Sequence, residues 1–429
     1  MPIQIFRAVA LAVAKAVAQA AAKAVALLSI AATCWPLTAS AAPLSLDAAL
    51  DLAVARSEAM RSARAGLSSA TESARAAGQL PDPMLRVGIE NLPVTGADRL
   101  HTARDSMTMK RLGIAQEWLS ADKRAARQSA ADAIVGRETN AVRTATAQTR
   151  LQTALAYLDA WYAGETLALT TLATHHAHEE LEAARARLSS SSGNSAEVLA
   201  MTGALGSAED ASAEALQQQS SATLALQRWV GVAPEALTPV AVATVPTEPA
   251  FVEAHPAVLA LQRDLQVARQ AAAATASERR PNWTWEVSYG QRTGYSDMVS
   301  VGVSIPLPIA PEQRQDRDTA SKLALADKAE ADIAEATRAA TTEYRTIASE
   351  AQRLRERIDR YRTGVVVPAA QRTAVATAAY RSNQFPLTTL FEARHAEVEV
   401  QRRLLALQRE LARTQAQLTF KPIDQGVSR

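Results

Sequence analysis

One cysteine, Cys34, occurs in the 429 residues of this sequence. Cleavage after Ala41 would remove it, and the mature chain could then form no disulfide and no thiolate metal site. Aromatic residues make up only 4%, too few for a thick globular core. Alanine is abundant instead, which favours long helices packed closely through small side chains. Neither sign of charge dominates. The formal net charge of +2 comes from Arg7, Lys15 and Lys23 in a first stretch without acids; beyond it 43 basic residues face 44 acidic ones. Nothing in that balance points to a nucleic-acid partner. A glycine-rich phosphate loop, a GxSxG elbow and an HExxH pair are all missing. The expectation is therefore neither an enzyme nor a cofactor binder.

The stretch Met1–Ala41 has basic residues, the apolar run AVALLSIAAT and a small-residue end, Ala39-Ser40-Ala41. This pattern predicts a secretory signal peptide over residues 1–41. An uncleaved membrane helix is the rival, opposed by Pro36, Pro43 and the short apolar run. A second alternative makes Cys34 a lipidated N-terminus, although Thr33 suits that processing poorly.

After this stretch, Asp47 can cap a helix over Ala48–Ala77, which Gly78 and the prolines at 81 and 83 end. Leu85, Val87 and Ile89 then alternate with Arg86, Gly88 and Glu90, and Met107–Trp118 predicts a return strand. Charged residues on the inner parity suit a water-filled barrel. A helical pattern runs from Leu119 to about Leu188, roughly 100 Å at the standard rise. The sequence SSSSGNS (189–195) breaks it, and a returning helix covers about Ala196–Trp229. Gly231–Pro249, with its four prolines, is a connector.

The order then repeats. A helix over about Val252–Arg279 precedes a hairpin whose alternation is the clearest in the chain. Trp283, Trp285, Val287 and Tyr289 share one parity, and Val299, Val301, Val303 and Ile305 supply the apolar residues of the second arm. A second long helix spans Glu312–Arg381, with a kink expected at Pro368. Ser382–Pro386 breaks the chain before a last helix carrying Leu404, Leu407, Leu411 and Leu418. Leu354, Ile358, Tyr361 and Val365 show the same heptad-like spacing. The expected organisation is an internal duplication, with a first repeat over 42–240 and a second over 241–429. A soluble coiled-coil rod would share the heptads but not two inserted strand pairs. Four strands cannot close a membrane barrel, and an open edge in lipid is forbidden. The strands must be pooled between copies, two giving eight and three giving twelve.

Tyr380–Leu418 resembles the turn and last helix of the TolC-like outer-membrane factors, with Arg187–Leu226 as its counterpart in the first half. A narrower resemblance, to the heavy-metal CzcC- and CusC-like branch, lies in LPDPMLRVGIENLPV (80–94), SMTMKRLGIAQEW (106–118) and Asp122-Lys123-Arg124. Leu119–Lys123 departs from the Pro-Gly-Lys run frequent in that branch. The resemblance implies a mainly α chain with a β-barrel portion. Four strands would enter the β-barrel of an outer-membrane homotrimer, above a long periplasmic α-helical barrel. It further implies an exit duct of tripartite efflux that works with a periplasmic adaptor and an inner-membrane RND-type pump, exporting heavy-metal cations. Drug efflux or type I protein secretion is the alternative within the class, and a periplasmic coiled-coil adaptor or scaffold the alternative outside it.

Candidate site residues follow from both sources. Tyr380 occupies the position of the family's gating tyrosine; Arg381 and Asn383 adjoin it, and Arg185, Arg187 and Asn194 are the first-half candidates by position. The barrel residues Trp283, Trp285, Val287, Tyr289, Val299, Val301, Val303 and Ile305 should face lipid. His175 and His178 share a helical face with Glu179 and Glu182 that could hold a metal, against the simpler reading of a solvated face. Met107 and Met109 could contact soft metals, but as strand residues they are expected to face lipid or a second protomer.

Overall fold

In a computed structural model, the structure describes residues 43–190, 193–240, 245–382 and 384–423. The signal peptide expected over 1–41, with Cys34, lies outside the described residues. The described residues fall into two units. The small one consists of Leu44 paired in parallel with Leu237, the Leu44 N–H donating to the Ala236 carbonyl at 2.9 Å. The large unit comprises residues 45–233 with 238–423.

The single helix expected over Ala48–Ala77 is two helices, α1 (Leu46–Arg56) and α2 (Glu58–Ala77). Ser45, not Asp47, caps the first, its hydroxyl accepting from the Ala48 N–H. Ser57 sits in an extended conformation between them and caps the second by accepting from the Met60 N–H. No proline or glycine announced that break. Strands β1 (Met84–Glu90) and β2 (Met109–Trp118) follow, so the return strand starts two residues later than expected. Next come α3 (Ala121–Ser189) and α4 (Ser195–Val230), close to expectation. The 69 residues of α3 extend about 100 Å. Gly231 ends α4 with φ of 86°, the left-handed cap that favours glycine.

The helix expected from Val252 is also split, into α5 (Glu248–Glu253) and α6 (Pro256–Ser277). Pro256 stands at the first position of α6, and the residue before a proline avoids helical geometry. Strands β3 (Trp283–Gln291) and β4 (Met298–Ser304) form the hairpin, leaving Ile305 just beyond the second arm. The second long helix is α7 (Gln315–Tyr361), a π turn (Arg362–Val366) and α8 (Val367–Arg381). The Val367 N–H reaches back five residues to the Arg362 carbonyl. Pro368 has no N–H and its ring crowds the preceding turn, so the chain widens one turn upstream. Val365 falls in that widened turn and is exposed, so it leaves the heptad stripe. Helix α9 (Leu387–Phe420) is the last helix among the described residues.

The four strands form one antiparallel sheet in the order β1-β2-β3-β4. The two strand pairs, far apart in sequence, join through β2 and β3, with Trp118 opposite Trp283 and Leu112 opposite Tyr289. Helix α3 packs on α1, α2, α4, α6 and α9; α7 packs on α6 and α9. The core is a series of clusters along these helices. Leu354 and Ile358 meet Leu407, with Tyr361, Leu404 and Leu411 around them, as the heptads predict. Leu50, Ala154, Leu158, Ala412 and Ala416 form another. Each leucine so buried contributes about 1.5–3 kcal/mol, and the alanines between them allow the close helix approach.

Candidate functional site: the sheet faces and the helix turns

Alternation gives the sheet two chemically opposite faces. One carries Leu85, Val87, Leu112, Ile114, Trp283, Trp285, Val287, Tyr289, Val299, Val301 and Val303, in register across all four strands and all exposed. Ile305, also exposed, lies beyond β4. A soluble protein rarely leaves so large a contiguous apolar face uncovered. The opposite face is polar and held together by charge. Glu286 accepts from Arg86 at 2.6 Å and from Arg111 at 3.0 Å. Arg111 also pairs with Glu90 and donates through Nε to the Ser288 hydroxyl at 2.7 Å. Gly113 lies where a Cβ would stand 2.7 Å from Ser288 Cβ, so β2 and β3 need a bare backbone there.

Met109 shares the parity of Arg111 and Gly113, so it lies on the polar face and not on the apolar one as expected. Met107 precedes the strand, is exposed, and donates its N–H to the Asp105 carboxylate at 2.6 Å. The histidine face also differs from expectation. His175 and His176, not His178, approach Glu179, at 3.4 and 3.3 Å, and Arg185 claims Glu182 at 2.8 Å. The hydrogen bond from His176 holds the Glu179 carboxyl below its ordinary range. Among the described residues no group of three or more His, Cys, Asp or Glu side chains is placed to hold a metal.

The two helical turns lie beside a shared core. Leu181 and Ala184 of α3, Met201 of α4, Ala376 of α8, and Leu387, Leu390 and Ala393 of α9 form one buried cluster. Tyr380 is half-buried and packs its ring against that cluster, while Arg381 is exposed. Asn194 caps α4, its side-chain oxygen accepting from the Glu197 N–H at 2.8 Å. Arg185 is exposed on α3, and Arg187 uses its carbonyl to accept from the Gly193 N–H at 3.0 Å. Asn383 lies outside the described residues.

Sequence reasoning missed the ion pair that crosses this region. Glu180 of α3 is only 4% exposed and accepts from Arg394 of α9 at 2.8 Å. Burial pushes its carboxyl above the ordinary range even against the attraction of Arg394. The signal was present in the spacing. Glu180 stands on the stripe of Ala177, Leu181 and Ala184, an acid on an apolar face that needs a partner.

Among the described residues no helix is long and apolar enough to cross a membrane, which leaves the apolar sheet face as the surface to explain. No known family profile matches the sequence, nor does any curated protein. Solved structures do. The chain superposes on CusC with a TM-score of 0.72 at 14% identity, covering 87% of this chain and 90% of that one; that structure's subject includes transmembrane channel formation. The outer membrane protein VceC of Vibrio cholerae matches with a TM-score of 0.66 at 17% identity, over 86% and 96% of the two chains. The open MtrE outer membrane channel of Neisseria gonorrhoeae matches with a TM-score of 0.69 at 17% identity, over 88% of each. With mostly helical architecture and one four-stranded antiparallel sheet, the chain has the fold of these outer-membrane channels.

Proposed function

We propose that the protein is the outer-membrane exit duct of a tripartite efflux system. The observation that carries this reading is the two-faced sheet, apolar and exposed on one side and bound by charge pairs on the other. Strands β1 and β4 each have one paired side, and an unpaired edge is not tolerated in lipid. Pooling three copies gives a closed twelve-stranded barrel with the apolar face toward lipid and the Arg86–Glu286–Arg111 network toward water. The helices then continue the duct into the periplasm. The partners of this homotrimer are the outer-membrane lipid, a periplasmic adaptor and an inner-membrane RND-type pump, which supplies the driving force.

The ends of α3 and α8 and the starts of α4 and α9 form the adaptor-facing gate, with Tyr380, Arg381, Arg185, Arg187 and Asn194 around it and Asn383 included by its place in the sequence. Opening separates the helix pairs, a population shift biased by the adaptor. The cargo is heavy-metal cations, a reading supported by the resemblance of residues 80–94 and 106–118 to metal-exporting ducts. The test is deletion of the gene, followed by measurement of cell-associated copper, silver, zinc, cobalt and cadmium alongside drug susceptibility. Accumulation of one metal group with drug tolerance unchanged supports the metal duct. Normal metals with raised drug sensitivity sink the metal cargo and leave the duct standing. Release of the protein from membranes without detergent, and no heat-modifiable band, would sink the duct in favour of a periplasmic scaffold.

A further inference from the structure

We infer that the cavity where the sheet meets the helices binds the phosphate headgroup of an anionic phospholipid. This rests on the outer-membrane reading above. The cavity measures about 500 Å³ and is lined by Arg279, Arg280, Asn282, Leu307, Ile309 and Arg314 among others. That volume falls within the range of small-ligand sites, about 300–1,000 Å³. It also reaches Lys123, Glu117 and Glu278, but these are occupied with one another. Lys123, buried, donates to Glu278 at 2.8 Å and to the Asn282 side-chain oxygen at 2.7 Å. Arg127 takes the other Glu278 oxygen at 2.8 Å, and Glu117 accepts from Asn282 at 2.7 Å.

The three arginines are not so held. Arg314 has no ion-pair partner among the described residues. Arg279 stands 3.8 Å from Asp316, and Arg280 pairs with Asp122 at 3.0 Å, with both arginines mostly exposed. Exposed pairs of this kind contribute little, so their guanidinium groups can turn to a phosphate and bind it through two parallel N–H donors. Gln315 also lines the cavity, and its buried Oε1 has no hydrogen-bond partner. With its amide flipped, it presents N–H donors instead.

Position and apolar surface select a lipid over a free anion. Trp118 and Trp283 face each other in the last row of the sheet before the helices, where interfacial tryptophans belong. Asn282, in the cavity wall, is the residue before Trp283. Beside the arginines, Leu307 is 79% exposed and Ile309 94% exposed. A soluble phosphate would leave these two side chains in water, whereas acyl chains cover them. A zwitterionic headgroup brings an ammonium against the arginines, so the site favours a net negative lipid.

The test is native mass spectrometry of the full-length protein in detergent, titrated with phosphatidylglycerol and with phosphatidylcholine. The wild type should bind phosphatidylglycerol about tenfold tighter, which corresponds to about 1.4 kcal/mol. Combining Arg280→Gln with Arg314→Gln should remove most of that preference, and Arg338→Gln, exposed elsewhere on α7, should keep it. If the double variant loses its heat-modifiable band, Arg314→Gln alone is scored, since it breaks no ion pair. Equal affinity for the two lipids in the wild type, or an unchanged preference in the variant, would overturn the inference. Displacement of phosphatidylglycerol by millimolar inorganic phosphate would assign the cavity to a free anion and overturn it too. A protein that inserts normally yet shows no lipid preference sinks this inference alone; one that leaves the membrane without detergent sinks the reading beneath it.

Discussion

Replacing Arg394 by methionine should loosen the helix turns far more than replacing Glu180 by glutamine. At 2.8 Å, the pair's gross attraction is about 6 kcal/mol for an effective dielectric of about 20. Desolvation of the carboxylate outweighs the guanidinium's pull on its proton affinity, which is therefore raised despite the nearby Arg394. The two partners are not buried alike: the Glu180 side chain is 4% exposed and that of Arg394 27%. Losing Arg394 strands a carboxylate inside the apolar cluster, at a cost of about 3–5 kcal/mol. Losing the charge on Glu180 leaves a guanidinium that can swing to water, at a cost of about 1 kcal/mol.

The pH dependence has a definite sign. Because the folded pKa lies above the unfolded one, the folded state binds the proton more tightly in between. Local stability is therefore greatest below the ordinary carboxylate range and falls as pH rises through the raised folded pKa. In Arg394→Met the guanidinium's attraction is gone and the pKa rises further, so the defect should be largest at about pH 8 and shrink toward about pH 5. The assay is amide hydrogen exchange at the N-terminal turns of α4 and α9, corrected for intrinsic rates across that range. Exchange in Arg394→Met should be faster by about two to four orders of magnitude at the upper end. Glu180→Gln should show a shift of less than tenfold and no pH dependence of its own. Equal effects from the two substitutions, or an Arg394→Met defect that ignores pH, would refute the reasoning.

Gly113→Ala should cost about 1–3 kcal/mol, because its Cβ would sit 2.7 Å from that of Ser288; Gly302→Ala meets nothing within 4 Å and serves as its control. The readout is the temperature at which the heat-modifiable band is lost. Val301→Arg, on the apolar face, should destabilise the inserted barrel by about 2–4 kcal/mol, and Ser300→Arg, on the other face, much less. Urea titration of protein refolded into vesicles compares them, and equal costs would remove the assignment of faces. Pro368→Ala restores a backbone donor, so the π turn at Arg362–Val366 should shorten to regular α-helix. A crystal structure that keeps the Val367-to-Arg362 bond would show that tertiary packing, not the proline, sets that turn.

Local chemistry was legible wherever one residue type or one period dictated the outcome. The parity of Trp283, Trp285, Val287 and Tyr289 fixed both the strand and its apolar face, because side chains on a pleated strand have no other way to segregate. The ends of α3 and α4 were legible through SSSSGNS and Gly231. Pro256 carried a readable break that the helical pattern around it masked, whereas Ser57 offered no such signal: its extended conformation is held by packing and by its hydroxyl contact with Thr149 at 3.1 Å. Met109 was misplaced because a strand with weak alternation does not declare which parity is apolar.

The order of elements, the heptad stripes that bury Leu354, Ile358 and Leu407, and the two opposed faces of each strand were already set by the amino-acid pattern. These depend on neighbours within a few turns, so periodicity suffices. It took the folded chain to show that β2 joins β3 across more than 160 residues, that Glu286 unites Arg86 and Arg111, and that Glu180 finds Arg394. Such partners lie far apart in the chain. Charge alone gives many possible pairings, and the close packing of helices and strands selects one of them.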